Sequence, residues 1–128
     1  MTTVEPITRR GEGLKAIPVG IEAFQKLAEL WQLPTEDQIQ LLGSPGRSTF
    51  FKWKKEGGTL PKDTNERISH LLAIFKALEI ILPDEHAANG WVHRANEFFN
   101  HQSALDVMRN GYVADIIRVR QYVDSQRG

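Results

Sequence analysis

Gln38-Ile-Gln-Leu-Leu-Gly-Ser-Pro-Gly-Arg-Ser-Thr-Phe-Phe-Lys-Trp-Lys-Lys55 has the pattern of two short helices meeting at Gly43. Ile39, Leu41 and Leu42 supply the inner face of the first helix, and Gly43 stands where a helix C-cap favours a residue free to take positive φ. Ser44-Pro45 then offers a restart, a hydroxyl N-cap followed by proline at the first helical position. Phe50, with Phe51 or Trp53, would anchor the second helix to an interior, which turns Arg47, Ser48, Thr49 and Lys52 outward near its start. This is the arrangement of a helix-turn-helix, whose second helix meets base edges in the major groove. Arginine can bond a guanine bidentately, and serine or threonine can reach bases or phosphates. Lys54, Lys55 and Lys62 are placed to serve phosphates. The candidate DNA-binding residues are therefore Ser44, Arg47, Ser48, Thr49, Lys52, Lys54 and Lys55. From Arg47 to Lys62 there are five basic residues against one acid, in a chain whose 16 basic and 16 acidic residues otherwise cancel. That local excess favours an anionic partner. The same residues also allow an ordinary helical hairpin with a solvated lysine face.

Working outward, the chain is helical in period. Upstream, Ile21, Phe24, Leu27, Ala28 and Trp31 recur at three- and four-residue spacing, the mark of one apolar face, and Pro34 is expected to end that helix. Thr35 with Gln38 suggests a capping box for the next. Downstream, Gly57-Gly58 closes the second helix of the motif. Asp63 with Glu66 suggests another cap, ahead of the longest stripe, Ile68, Leu71, Leu72, Phe75, Leu78 and Leu82, which Pro83 stops. About twenty such residues span roughly 30 Å, enough to join two halves without a flexible linker. Residues 84–102 are irregular, with a turn expected at Asn89-Gly90. Ser103 and Asp106 cap a short helix closed by Gly111, and a last helix is expected from about Tyr112 to Ser125. No stretch alternates like a strand. The expected fold is all-α: an arm over residues 1–20, a helix-turn-helix part over 21–70, and a second helical part over 71–128.

Composition narrows the chemistry. Apolar residues make up 41% of the 128, enough for a packed interior and too many for a disordered chain. The absence of cysteine excludes disulfides, thiolate zinc sites and a cysteine nucleophile, and agrees with a reducing cytoplasm. The opening Met-Thr-Thr-Val-Glu-Pro-Ile-Thr-Arg-Arg carries no apolar h-region, so no secretory leader is expected, and no apolar run reaches the roughly 20 residues of a membrane span. The four histidines, His70, His86, His93 and His101, make no i, i+4 pair, and neither HExxH, a P-loop, GxSxG nor GxGxxG occurs. Neither an enzyme, a metal site nor a cofactor is expected.

The C-terminal half is more specific. Trp91, Asn96, Phe98 or Phe99, Ala104-Leu105-Asp106, Gly111 and Val119-Arg-Gln-Tyr-Val-Asp124 fall in the order and spacing of the toxin-binding domain of the Xre/MbcA/ParS antitoxins. Glu66–Leu78 looks like that family's central helix. The resemblance covers roughly residues 21–128. It departs from the family at Phe99-Asn100-His101, where many relatives carry a glycine, and at Val123, which replaces a leucine. The resemblance implies a cytoplasmic antitoxin paired with a toxin encoded beside it, most often of the RES type, which degrades NAD or ADP-ribosylates a target. The antitoxin's C-terminal part would cover the toxin's active-site cleft, while its helix-turn-helix represses the shared operon from a homodimer. Carried over, the toxin-binding candidates are Trp91, Asn96, Phe98 and Arg120. To these the last helix adds Arg118, Gln121, Gln126, Arg127 and Gly128, since its cations cannot all be buried and its terminus could enter a dinucleotide site. Each has a plainer alternative. Trp91, Phe98, Leu105 and Met108 could simply fill a core, Asn96 could staple a loop through backbone bonds, and the last helix could end in solvent. Two other readings use the same residues: a helix-turn-helix regulator without a toxin, and a toxin-binding module that does not touch DNA.

Overall fold

A computed structural model describes residues 19–127, so most of the expected arm (residues 1–18) and Gly128 lie outside the described residues. Seven α-helices follow in it: α1 Val19–Leu30, α2 Thr35–Leu41, α3 Arg47–Glu56, α4 Lys62–Ile81, α5 Glu85–Gly90, α6 Ala104–Met108 and α7 Val113–Ser125. Helix α1 starts two residues before the expected Ile21, within the expected arm. Gly20 lies against α4, where an added Cβ would come 3.3 Å from Asn65 Oδ1. The glycine therefore serves a close helix–helix approach and does not punctuate a loop.

Backbone motifs close the first two helices, and at α2 they include the C-cap expected of Gly43, which takes φ 94. Gln32 takes φ 55, Leu33 N donates to Ala28 O at 2.9 Å and Gln32 N to Glu29 O at 3.1 Å. This paired pattern ends α1 before Pro34 is reached. The same pattern ends α2, with Ser44 N on Ile39 O at 2.9 Å and Gly43 N on Gln40 O at 3.1 Å. Ser44, at φ 60, thus closes α2 and does not cap α3. The N-cap of α3 is Gly46, and its first residue is Arg47, not Pro45. Neither expected capping box forms at α2 or α4, whose N-caps are Pro34 and Pro61 with no side-chain cap. Gln38 instead donates to Leu33 O at 2.8 Å, and Asp63 accepts from Arg67 Nε at 2.8 Å. Only the Ser103–Asp106 box at α6 forms as expected, with reciprocal bonds of 3.0 and 3.3 Å.

The irregular stretch contains more order than its sequence pattern shows. Asp84 caps α5 by accepting from Ala87 N at 2.9 Å, so Asn89-Gly90 is the last part of a helix and not a turn. Two 3₁₀ turns, Trp91–His93 and Glu97–Phe99, flank β1 Ala95–Asn96, which pairs antiparallel with β2 Gln102–Ser103. The register is Ala95 with Ser103 and Asn96 with Gln102. Two residues per strand are too few to display alternation.

Helix α4 is the spine. It packs most extensively on α7 and next on α1, so it buries Ile74 and Ala77 as well as the expected Ile68, Leu71 and Leu78, while Leu72, Phe75 and Leu82 are only partly covered. The interior is continuous from Phe24, Trp31 and Phe50 to Phe99, Met108, Ile116 and Val119, all 0–1% exposed. Each such side chain contributes about 1.5–3 kcal/mol when fully buried. Polar links also tie the two ends of the chain together. Arg67, 8% exposed, donates to Asp63 and, at 2.8 Å, to Gly111 O just before α7. Asp37 on α2 takes Arg109 at 3.4 Å, and His93 Nε2 lies 2.6 Å from Trp31 O.

Candidate functional site

Two faces hold the candidate residues. On the first, α3 is fastened by Phe50 (0% exposed) and Trp53 (9%), which settles which aromatics anchor it. Phe51 lies on the outer side, 43% exposed, in edge contact with Phe50. Arg47, Ser48, Thr49, Lys52 and Lys55 are exposed, as is Ser44 in the preceding turn. Lys54 is half-buried, its ammonium 5.3 Å over the Phe50 ring and 5.6 Å over Phe51. Lys54 and Lys55 fall in the last turn of α3, where cations complement the helix dipole, so these two have a structural role besides any contact with phosphate. Gly57 ends the helix at φ 75, ψ −130, a conformation essentially confined to glycine. Arg47 is held in place: its Nη1 donates to Glu36 Oε2 on α2, and its guanidinium carbon stands 5.6 Å over the Phe51 ring.

The second face gathers around Tyr122, a member of the Val119–Asp124 motif that is not among the toxin-binding candidates. Phe98 stacks on Tyr122 with centroids 4.3 Å apart, Phe99 meets it edge-on at 5.4 Å, and Trp91 lies nearly parallel to it at 6.2 Å. Arg118, one turn before Tyr122 on α7, covers Phe98 and Phe99 at 5.9 and 5.3 Å. The i, i+4 spacing of Arg118 and Tyr122 was the signal available for this face. Phe98 is 54% exposed, which removes it from the core-filling alternative. Leu105 and Met108 do fill the core, and Trp91 is partly buried against it. Beside the aromatic cluster, a groove of about 120 Å³ runs between Leu78, Ile81, Leu82, Trp91, Tyr122, Val123 and Gln126.

The remaining candidates divide. Asn96 Oδ1 accepts from Phe98 N at 2.8 Å, a local turn that aims Phe98 outward, so the side chain acts as the loop staple. Arg120 is drawn toward α4, with Nη1 2.9 Å from His70 Nδ1 and Nε 3.7 Å from Asp124; it does not share the aromatic face. Gln121, Gln126 and Arg127 are exposed. The departure at Asn100-His101 puts two Cβ-bearing residues where the backbone favours glycine. Both take positive φ, 59 and 67, the region where glycine is the usual occupant and asparagine is tolerated. Of the ionisable groups near these faces, Asp106 is distinctive. Burial alone would raise its pKa. The Ser103 hydroxyl and backbone N–H and the Arg109 cation outweigh that and hold it below the ordinary 3.8. Among the described residues no three His, Asp or Glu side chains converge as a metal site, and no helix is long and apolar enough to cross a membrane.

Two known families match the two parts of the chain. Residues 8–73 match the antitoxin Xre-like helix-turn-helix domain, and residues 77–128 match the antitoxin Xre/MbcA/ParS C-terminal toxin-binding domain. An uncharacterized protein of Sinorhizobium fredii (strain NBRC 101917 / NGR234), y4oB, is 60% identical over 112 residues, which cover 88% of this chain and 87% of its own. With the helix-turn-helix domain alone spanning just over half of the chain and the toxin-binding domain completing it, the chain belongs to the Xre/MbcA/ParS antitoxins.

Proposed function

We propose that this antitoxin silences a RES-type toxin encoded beside it and represses their shared operon. The toxin-facing surface is the Phe98–Tyr122–Arg118 cluster with the adjoining end of α7, and Gln126, Arg127 and Gly128 reach into the toxin's dinucleotide cleft. One observation carries this reading. Phe98 is held out in solvent at 54% exposure, by an Asn96 turn on one side and a stack on Tyr122 on the other. Folding alone gives no reason to support an exposed aromatic so firmly, whereas a rigid aromatic beside an arginine is what an interface hot spot needs. Gln121 lies on the exposed side of the same helix, and Trp91 backs the cluster. Arg120 acts from behind, holding α7 to α4. Operator DNA is met by Arg47, Ser48, Thr49 and Lys52 of α3, with Ser44, Lys54 and Lys55 toward phosphates, and a homodimer presents two such helices to two half-sites. The parts divide near residue 70, within α4, so neither surface hangs on a flexible linker.

The test is co-expression with the neighbouring gene product followed by co-purification and growth rescue. Wild-type protein should be recovered with the toxin and restore growth. Phe98→Ala with Arg118→Ala should lose the complex while keeping a wild-type far-ultraviolet circular dichroism spectrum and a cooperative unfolding transition. Removing residues 126–128 should leave a complex that no longer protects. Full protection by both variants would place inhibition elsewhere on the molecule.

A further inference from the structure

We propose that Glu36 is a positioning residue that sets base specificity through Arg47; this rests on the reading of α3 as the DNA-reading helix. Arg47 is the first residue of α3 and has a 59% exposed side chain, and Glu36 on α2 has a 75% exposed one. An exposed pair of this kind contributes little to folding, and the place of Glu36 in the first turn of α2, where an acid complements the dipole, accounts for the acid but not for its bond to Arg47. Geometry does. The carboxylate takes Nη1, and the ring of Phe51, one helical turn on, lies 5.6 Å beneath the guanidinium carbon. One contact lies at the edge of the guanidinium and the other at its face, so together they fix a long side chain with many rotamers. The N–H groups on Nη2 and Nε are left for the O6 and N7 acceptors of a guanine.

Electrostatics makes Glu36 necessary to this arrangement. A cation at the start of a helix faces the positive end of its dipole, and the first turn of α3 has no acid of its own. Lys54 adds a second cation 5.6 Å from the same Phe51 ring. Without Glu36, Arg47 would swing toward solvent or toward the nearest phosphate. An acid on a DNA-facing surface also repels every duplex alike. The combined effect is lower affinity for arbitrary sequence and retained affinity where a guanine meets the held fork. Discrimination is bought with overall binding strength.

The full-length protein should be used to enrich duplexes from a random library. Affinities for the enriched duplex and a scrambled one are then measured by fluorescence anisotropy for wild type, Glu36→Gln, Arg47→Ala and the double variant. Glu36→Gln should bind the scrambled duplex more tightly and cut the ratio of specific to non-specific affinity roughly threefold to tenfold. Its thermal midpoint should fall only slightly, since the variant loses one acid from the first turn of α2. In the Arg47→Ala background the same change should leave the ratio unaltered. An unchanged ratio in Glu36→Gln, equal tightening on both duplexes, or an undiminished fall in the Arg47→Ala background would each overturn the proposal. If the wild type enriches no sequence, the DNA-reading assignment of α3 fails first and the role of Glu36 falls with it.

Discussion

Replacing Arg67 by alanine should cost about 2–3 kcal/mol of folding stability, through losses that can be read off its surroundings. Its side chain is 9% exposed, and it donates at 2.8 Å both to Asp63 and to the carbonyl of Gly111. It also lies under the turn before α3, where a Cβ on Gly43 would come 3.1 Å from its Nε. Removing the guanidinium leaves the partly covered Gly111 carbonyl without its donor, about 1 kcal/mol. The pair with Asp63, whose side chain is 58% exposed, adds up to about 1 kcal/mol. The lost packing of the stem adds about 1–2 kcal/mol, and relief of the cation's own desolvation offsets part of the sum. Arg67→Met keeps the stem and should cost about 1–2 kcal/mol, and Asp63→Asn about 1 kcal/mol or less. Urea unfolding followed by far-ultraviolet circular dichroism measures all three. Amide exchange should quicken together in residues 43–46 and 111–113, because one side chain joins those loops. A loss below about 1 kcal/mol for Arg67→Ala, or a larger loss for Asp63→Asn than for Arg67→Ala, would refute the reasoning.

Three further outcomes are expected. Asp106 has a lowered pKa in the folded chain, so its contribution is complete above the ordinary 3.8 and lost as pH falls through the lowered value; acid titration of stability should show this limb in the wild type and not in Asp106→Asn. Gly57→Ala should destabilise by about 1–3 kcal/mol in thermal or urea unfolding, since φ 75, ψ −130 suits no Cβ-bearing residue. Gln32→Gly should raise stability by up to about 1 kcal/mol, because it relieves a left-handed residue at a helix end already built for glycine; a fall in the urea midpoint would contradict this.

The helices were legible because their apolar residues repeat at the period of the helix itself, and burial follows period. Ile21, Phe24, Leu27 and Trp31 are all 0–2% exposed, as their spacing demands. The anchoring of α3 by Phe50 was legible for the same reason, and so was the α6 cap, whose Ser103 and Asp106 act within one turn. The helix-turn-helix and toxin-binding character was legible through motif spacing. Helix α2 does start at Thr35 as expected, but expected caps do not form where the cap-like residue has a competing partner. Asp63 faced Arg67, Gln38 reached back to Leu33, and Ser44 was held by α2.

Periodicity and local side-chain chemistry on their own therefore settle the longer helices, though not the six-residue α5, and with them which side turns inward and that one helix is cationic on its outer side. Such information is local, acting over one or two turns of chain. Which cation stands free and which is claimed depends on groups far apart along the chain: Arg120 on His70, Arg109 on Asp37, Arg67 on Gly111 and Arg47 on Glu36. The aromatic face at Tyr122 likewise exists only once α7 lies beside the Asn96 turn. Packing brings those pairs within a few ångströms, and no spacing along a single helix encodes that distance.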